Sequence, residues 1–514
     1  MKLTDTKAYE DLVKLKQALK NRISIENIEA RVRDFEIDLG AIKYNYGFSG
    51  VDTEVVEGLL KLAVEQGVEE QRDRMFKGAV INETEGRSVL HWAARAENIE
   101  DAKISKQLQQ DKKLMEEFAE GVREGKIKGV TGKRIRYAVN IGVGGSDLGV
   151  RLGVTALEAQ SEKVIETLFL AGIDNREIDD IFDKIQIEET LFVIVSKTFT
   201  TQETLMNARA VKARILEKLG NKYTAQQIME THFAAVTTSE EQALEFGIDE
   251  KRIFHIGDFI GGRFSVWSGV GLCLALSIGA KRFREFLHGA AFIDKHFKEA
   301  RLEKNMPIML GLVSVWHRNF EGYSVKAIAP YSYELRLLPK YLQQLEMESN
   351  GKSITRNGEL VDYETAPVIF GDIGTFAQHS FFQLLHQGTD IIPVDFIAVS
   401  SENKILIENM AAQVVALAFG SKELKCKGGK PSNIITLAKM DAYHLGGLLA
   451  LYEHSVFVQG ILWDINSFDQ PGVELGKKLA KSVSGAYEKG MTDSAIKDSE
   501  TAAAFLFKKI YKSS

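Results

Sequence analysis

The chain has 514 residues, room for about three domains with sizeable cores, and its 45% hydrophobic and 26% charged residues are the balance of a globular protein. A net charge of −6 gives no general attraction for nucleic acid, so any anion must be held by a local cluster. Two cysteines, Cys273 and Cys426, exclude a disulfide framework, and the opening Met1-Lys2-Leu3-Thr4-Asp5 lacks the apolar core of a secretion signal, so a reducing, cytoplasmic setting is expected.

Residues 1–105 read as helical, with Leu12, Leu15 and Leu19, then Val55, Leu59 and Leu62, at amphipathic spacing. Loops are expected at 44–51 and 82–88, with no strand series. Strand-like apolar runs then occur at 134–141, 167–171, 191–195, 233–236 and 252–256, separated by helical patterns such as 200–219 and 239–246. Strands alternating with helices predict a parallel, doubly wound sheet over 106–280. A looser alternation follows over 281–480, with strands at 324–328, 368–370 and 396–399 and helices at 284–298, 333–345, 376–387, 403–419 and 441–457. Residues 481–514 end in an apolar-faced helix at 501–511, read as a docking arm.

Two apolar stretches could be mistaken for membrane spans. Residues 264–280 fall short of the ~20 a span needs, and residues 446–463 are interrupted by Glu453 and His454. Both are expected to be buried helices, and no membrane association is predicted.

The chemistry concentrates in loops after strands, where ligands of open α/β sheets bind. Ser196-Lys197-Thr198-Phe199-Thr200-Thr201 follows a buried strand and opens a helix. Free N–H groups, the helix dipole, four hydroxyls and an ammonium make this an anion site, whereas a simple cap needs one hydroxyl. Gly142-Val143-Gly144-Gly145-Ser146-Asp147-Leu148-Gly149 follows the first strand. Asp147 stands where a dinucleotide fingerprint needs its third glycine, no Gly-Lys-Ser/Thr makes a P-loop, and Leu148 spoils a serine-hydrolase elbow. A glycine turn presenting Ser146 at a helix start remains, a second wall for the anion.

Gly261-Gly262-Arg263 holds a permanently charged guanidinium near an apolar stretch, suited to a developing oxyanion. Gln343-Gln344-Leu345-Glu346-Met347-Glu348 ends a helical pattern on a carboxylate that can act as general base. His379, read as early in a helix, is a candidate proton carrier, and His386 reads as a core or interface histidine. Lys477 follows a Pro471-Gly472 turn with room to point inward. Lys422, Lys425, Lys427 and Lys430 read as a solvated loop. No metal-binding spacing is present.

Taken together, these motifs resemble the phosphoglucose isomerase (glucose-6-phosphate isomerase) family. Residues 258–271 and 468–477 match its two signature segments, and 196–203, 144–149, 347–352 and 378–379 match further blocks in the same order. Asn82-Glu83-Thr84-Glu85-Gly86-Arg87 with His91 fits another family segment, without an assigned role. The resemblance implies an α/β protein of two doubly wound parallel-sheet SIS domains, 106–280 and 281–480. An N-terminal helical region, 1–105, would pack on the second of them, with a C-terminal helical arm at 481–514.

It implies interconversion of glucose 6-phosphate and fructose 6-phosphate without metal or organic cofactor. Glu348 would move a proton between C2 and C1 and Arg263 would stabilise the enediolate, with His379 and Lys477 assisting ring opening. Gly145, Ser146, Ser196, Lys197, Thr198, Thr200, Thr201 and Gly262 would hold the phosphate end, and Gln344 and Gln470 would line the sugar site. A homodimer is implied, with His379 supplied across the interface. The family usually has Glu-Pro at Asp372-Ile373 and Asn at Phe376, so the ring-opening loop departs from its pattern here. Rival readings are a non-catalytic sugar-phosphate-binding regulator, a nicotinamide dehydrogenase built on Gly142–Gly145, and a related isomerase that also takes mannose 6-phosphate.

Overall fold

The computed structural model describes residues 1–18, 23–488 and 498–511. Leu19, and 489–497 and 512–514 of the expected arm, lie outside the described residues. The chain divides into two compact units, Met1–Ser467 and Phe468–Ser514.

In the first unit β1 (Glu36–Asp38) and β2 (Ile42–Asn45) form an antiparallel pair, and β3 (Val80–Asn82) and β4 (Arg87–Ser88) a small hairpin. Next come β5 (Tyr137–Ile141), β6 (Glu166–Leu170), β7 (Thr190–Val195), β8 (Phe233–Val236) and β9 (Ile253–Phe254), a five-stranded parallel sheet ordered β6-β5-β7-β8-β9. The remaining strands are β10 (Val325–Pro330), β11 (Val368–Gly371), β12 (Val394–Val399) and β13 (Ser432–Leu437). With the first pair they make a six-stranded sheet ordered β1-β2-β13-β12-β10-β11.

The two parallel parts share one winding. In each, the chain pairs its second strand on one side of the first and its third on the other, so the loops after the first and third strands diverge. That gap is the switch point where doubly wound sheets bind ligands. β7 is buried along its whole length, as a strand covered on both faces must be, which explains its unbroken apolar run. Both apolar stretches are interior: residues 264–280 are all buried, and Ala442–Leu462, long and apolar enough to span a membrane, is instead enclosed by protein. The latter crosses Ala280–Glu299 so closely that a Cβ on Gly446 would sit 1.9 Å from the Phe286 carbonyl oxygen.

Four expectations need correction. The N-terminal region is not free of strands: β2 adds to β13, and its alternation of buried Ile42 and Tyr44 was too short to read as a strand. Segment 82–88 is a hairpin rather than a plain loop. β13 is an unexpected strand, masked by polar Ser432 and Asn433 at its start. The helix expected at 376–387 breaks into Gly374–Ala377 and Phe382–Gln387, which leaves His379 on a turn.

The second unit contains Glu474–Glu488 and Ser499–Ile510, which lie against each other.

Candidate active site

The two anion loops stand side by side at the carboxyl ends of β5 and β7, at the first sheet's switch point. After β5 a tight turn, Gly144–Ser146, leads into Leu148–Leu157. A Cβ on Gly145 would lie 2.2 Å from the Gly262 carbonyl, so only glycine lets this turn meet the Arg263 segment backbone to backbone. Asp147, an unwelcome carboxylate beside an anion site, is turned to Arg151, whose Nη2 lies 2.9 Å from it.

After β7 the helix Gln202–Leu219 starts at Thr201, whose hydroxyl does not cap it. Instead Ser196 Oγ donates to Thr201 Oγ1 at 3.1 Å, and Thr198 and Thr200 pair at 2.6 Å. The hydroxyls satisfy one another, and the helix's first-turn N–H groups keep no intrahelical acceptor. Phe199 adopts φ 52°, a conformation that disfavours a bulky residue, and its burial against Phe246 holds the loop there. Lys197 Nζ donates to the Asp258 and Ile260 carbonyls at 2.8 and 3.0 Å, tying this loop to the segment before Arg263. Burial, then the neighbouring Arg87, pushes the Lys197 ammonium below its usual value.

Arg263 is buried with its fork fixed: Nε donates to Ser349 Oγ and Nη2 to the Ser467 carbonyl, both at 2.6 Å. Nη1 lies 3.8 Å from Glu348 Oε2. Glu348 ends a turn of π-helix, Gln343–Glu348, a rare wide winding that is frequent at functional sites. Its Oε2 accepts from Gln344 Nε2 at 2.8 Å, and that same amide lies beside Gly144. Gln344 therefore links the first anion loop to the carboxylate. A partly exposed carboxylate beside a locked cation, flanked by an anion site, can remove a proton from carbon and stabilise the oxyanion that results.

His379 is not part of this cluster. It is exposed, and its ring makes no hydrogen bond, ion pair or ring contact among the described residues. Beside it Asp372 accepts the Ile373 N–H at 2.8 Å, Ile373 is buried and Phe376 is exposed. Gln470 and Lys477 belong to the second unit, where Lys477 Nζ donates to Glu474 Oε1 at 2.8 Å. His386 bonds to Gln413 at 2.9 Å, in keeping with a structural role. Of the four lysines read as a solvated loop, Lys430 is buried and donates to the Asp390 carbonyl at 3.1 Å. Among the described residues no group of three His, Cys, Asp or Glu side chains could hold a metal ion.

Several supporting residues had no role assigned from the sequence. Ser349 and Ser467 orient Arg263, and Asn350 is bonded to both Ser467 Oγ and the Val456 carbonyl. His91 is buried and stacks on Phe264 at 4.8 Å, while Trp267 Nε1 donates to buried Glu453 at 2.8 Å. Phe264 and Trp267 lie on the Arg263 segment itself, and His91 and Glu453 reach it from elsewhere in the chain. For Phe264 and Trp267, and for Ser349 and Asn350, the sequence signal was a neighbouring glycine, which names no partner.

Comparison with known proteins agrees over most of the chain. The model of the family described as Phosphoglucose isomerase matches residues 45–505. A protein of Paraburkholderia phytofirmans named Glucose-6-phosphate isomerase is 43% identical over 497 residues, covering 92% of this chain and 91% of that one. One of the same name from Helicobacter pylori is 40% identical over 538 residues, covering 97% and 98%. The crystal structure of a glucose-6-phosphate isomerase from Chlamydia trachomatis superposes with a TM-score of 0.89 at 33% identity, covering 99% of this chain and all of that one.

Proposed function

The chain belongs to the phosphoglucose isomerase family, and on that premise we propose how its residues share the work. The enzyme interconverts glucose 6-phosphate and fructose 6-phosphate in glycolysis and gluconeogenesis, opening the sugar ring and passing a proton between C2 and C1 through an enediolate.

In our reading the Glu348 carboxylate takes the C2 proton of the open-chain aldose and returns it to C1. Arg263 faces the oxygens on which negative charge grows. Ser146, Ser196, Lys197, Thr198, Thr200 and Thr201 grip the phosphate, with Gly145 and Gly262 letting backbone approach. Gln344 and Gln470 line the sugar, and His379 and Lys477 move protons for ring opening. No metal or organic cofactor takes part. The reading rests most on one observation, the Arg263–Glu348 distance of 3.8 Å beside the switch-point loops.

The finer features of the proposal are a cytoplasmic homodimer, in which the exposed His379 would serve the site of the other subunit. Its organisation would be the helical region 1–105 packed on the second of two SIS domains, 106–280 and 281–480, with the arm 481–514.

Incubation with fructose 6-phosphate in heavy water, with metal chelated and nicotinamide absent, tests this reading. Glucose 6-phosphate carrying deuterium at C2 is expected. Product with no solvent deuterium, even at long times, would remove an exchanging carboxylate such as Glu348 from the mechanism.

A further inference from the structure

The π-helical turn Gln343–Glu348 is held from one side by the second sheet. Gln343 Nε2 donates to the Ile369 carbonyl on β11 at 3.1 Å, and the Ile369 N–H meets the Met347 sulfur at 3.4 Å. Between them Glu346, only 1% exposed, accepts from Lys326 Nζ on β10 at 2.7 Å. Lys326 is buried as well and lies 3.9 Å from Asp395 on β12. Asp395 in turn accepts from Asn433 on β13 at 2.8 Å and from Tyr452 at 3.3 Å, and Asn433 accepts from Tyr44 on β2 at 3.2 Å. A polar row thus crosses four strands and ends two residues from Glu348.

A buried ion pair is a poor source of stability, because desolvating both charges offsets their attraction, and apolar replacements of the same volume are often as stable. What it does well is fix one register, since any other leaves a charge unpaired. A π turn needs such a device: its winding competes with the ordinary helix, and reverting would rotate every side chain past the insertion. Burial alone would lower the Lys326 pKa, but Glu346 and Asp395 outweigh it and keep the ammonium charged.

We propose that Lys326 and Glu346 are positioning residues for Glu348, the buried pair locking the π register that presents the carboxylate beside Arg263. The proposal rests on the reading of Glu348 as the proton shuttle. Neither residue belongs to the anion loops, which lie on the other sheet, so the grip on phosphate is kept when the pair is removed.

The test compares Glu346→Gln, the double variant Lys326→Met/Glu346→Leu, and Glu348→Gln in the intact enzyme. Glu346→Gln keeps the volume and leaves Lys326 facing Asp395, so it reports even where the double variant fails to fold. The expected result for Glu346→Gln is a kcat lower by about 10- to 100-fold, the scale of a small misplacement of a reacting group. Inhibition by inorganic phosphate stays within about two-fold, and the primary isotope effect with C2-deuterated glucose 6-phosphate rises as proton transfer becomes limiting. A wild-type kcat and isotope effect, or equal losses of kcat and phosphate affinity, would overturn the proposal. Glu348→Gln separates the two levels. Near-normal turnover there sinks the shuttle reading itself, whereas an inactive Glu348→Gln beside a normal Glu346→Gln sinks only the positioning role.

Discussion

The two halves of the site are built in opposite ways. On the first sheet the anion loops are small hydroxyls bonded to one another, Ser196 to Thr201 and Thr198 to Thr200, around a helix start that no side chain caps. On the other side Arg263 is buried and fixed through Ser349 and Ser467, and Glu348 sits on a π turn tied to a sheet. Hydroxyl pairs can exchange their bonds for a ligand's oxygens at little cost. A group that must meet a transition state cannot move without losing rate. Binding is assigned to exchangeable contacts and chemistry to locked ones.

Substitutions on each side should therefore fail in different ways. The largest effect is expected from Glu348→Gln, with turnover lower by at least about 10²–10⁴-fold, the usual contribution of a general base. Next comes Arg263→Lys, which keeps charge but loses the planar fork held by Ser349 and Ser467. A fall in kcat of about 10²-fold with a small change in KM is the expected steady-state result.

On the binding side Thr201→Ala removes one hydrogen bond to a charged ligand. It should weaken inorganic phosphate inhibition roughly ten-fold, a loss of about 1.5 kcal/mol, while kcat at saturating substrate barely moves. The smallest effect concerns pH. Because Lys197 sits below the ordinary lysine value, it loses its proton earlier as pH rises. Phosphate inhibition should weaken at a lower pH than a solvated lysine would give, and that alkaline limb should vanish in Lys197→Gln.

Legibility in the sequence followed the same division. β7 and the loop after it could be read because a strand covered on both faces is continuously apolar, and four hydroxyls crowd the stretch Ser196–Thr201 that follows. The π turn could not, since Leu338, Leu342 and Leu345 continue ordinary helical spacing straight through it. Arg263 stood out by its glycines, but the bonds that hold it come from 86 and 204 residues away, and no local pattern encodes such partners. Nor did anything mark β1 and β2 as an extension of the second sheet: each is at most four residues long, and the pairing of β2 with β13 is a tertiary fact.

The division of labour is tested most directly by measuring kcat and the dissociation constant of inorganic phosphate in Glu348→Gln and Thr201→Ala side by side. A crossed result is expected: Glu348→Gln loses turnover and keeps phosphate affinity within about two-fold, and Thr201→Ala does the reverse. If both variants lost both quantities together, the site would act as a single unit, and the separation of anchor from chemistry would be wrong.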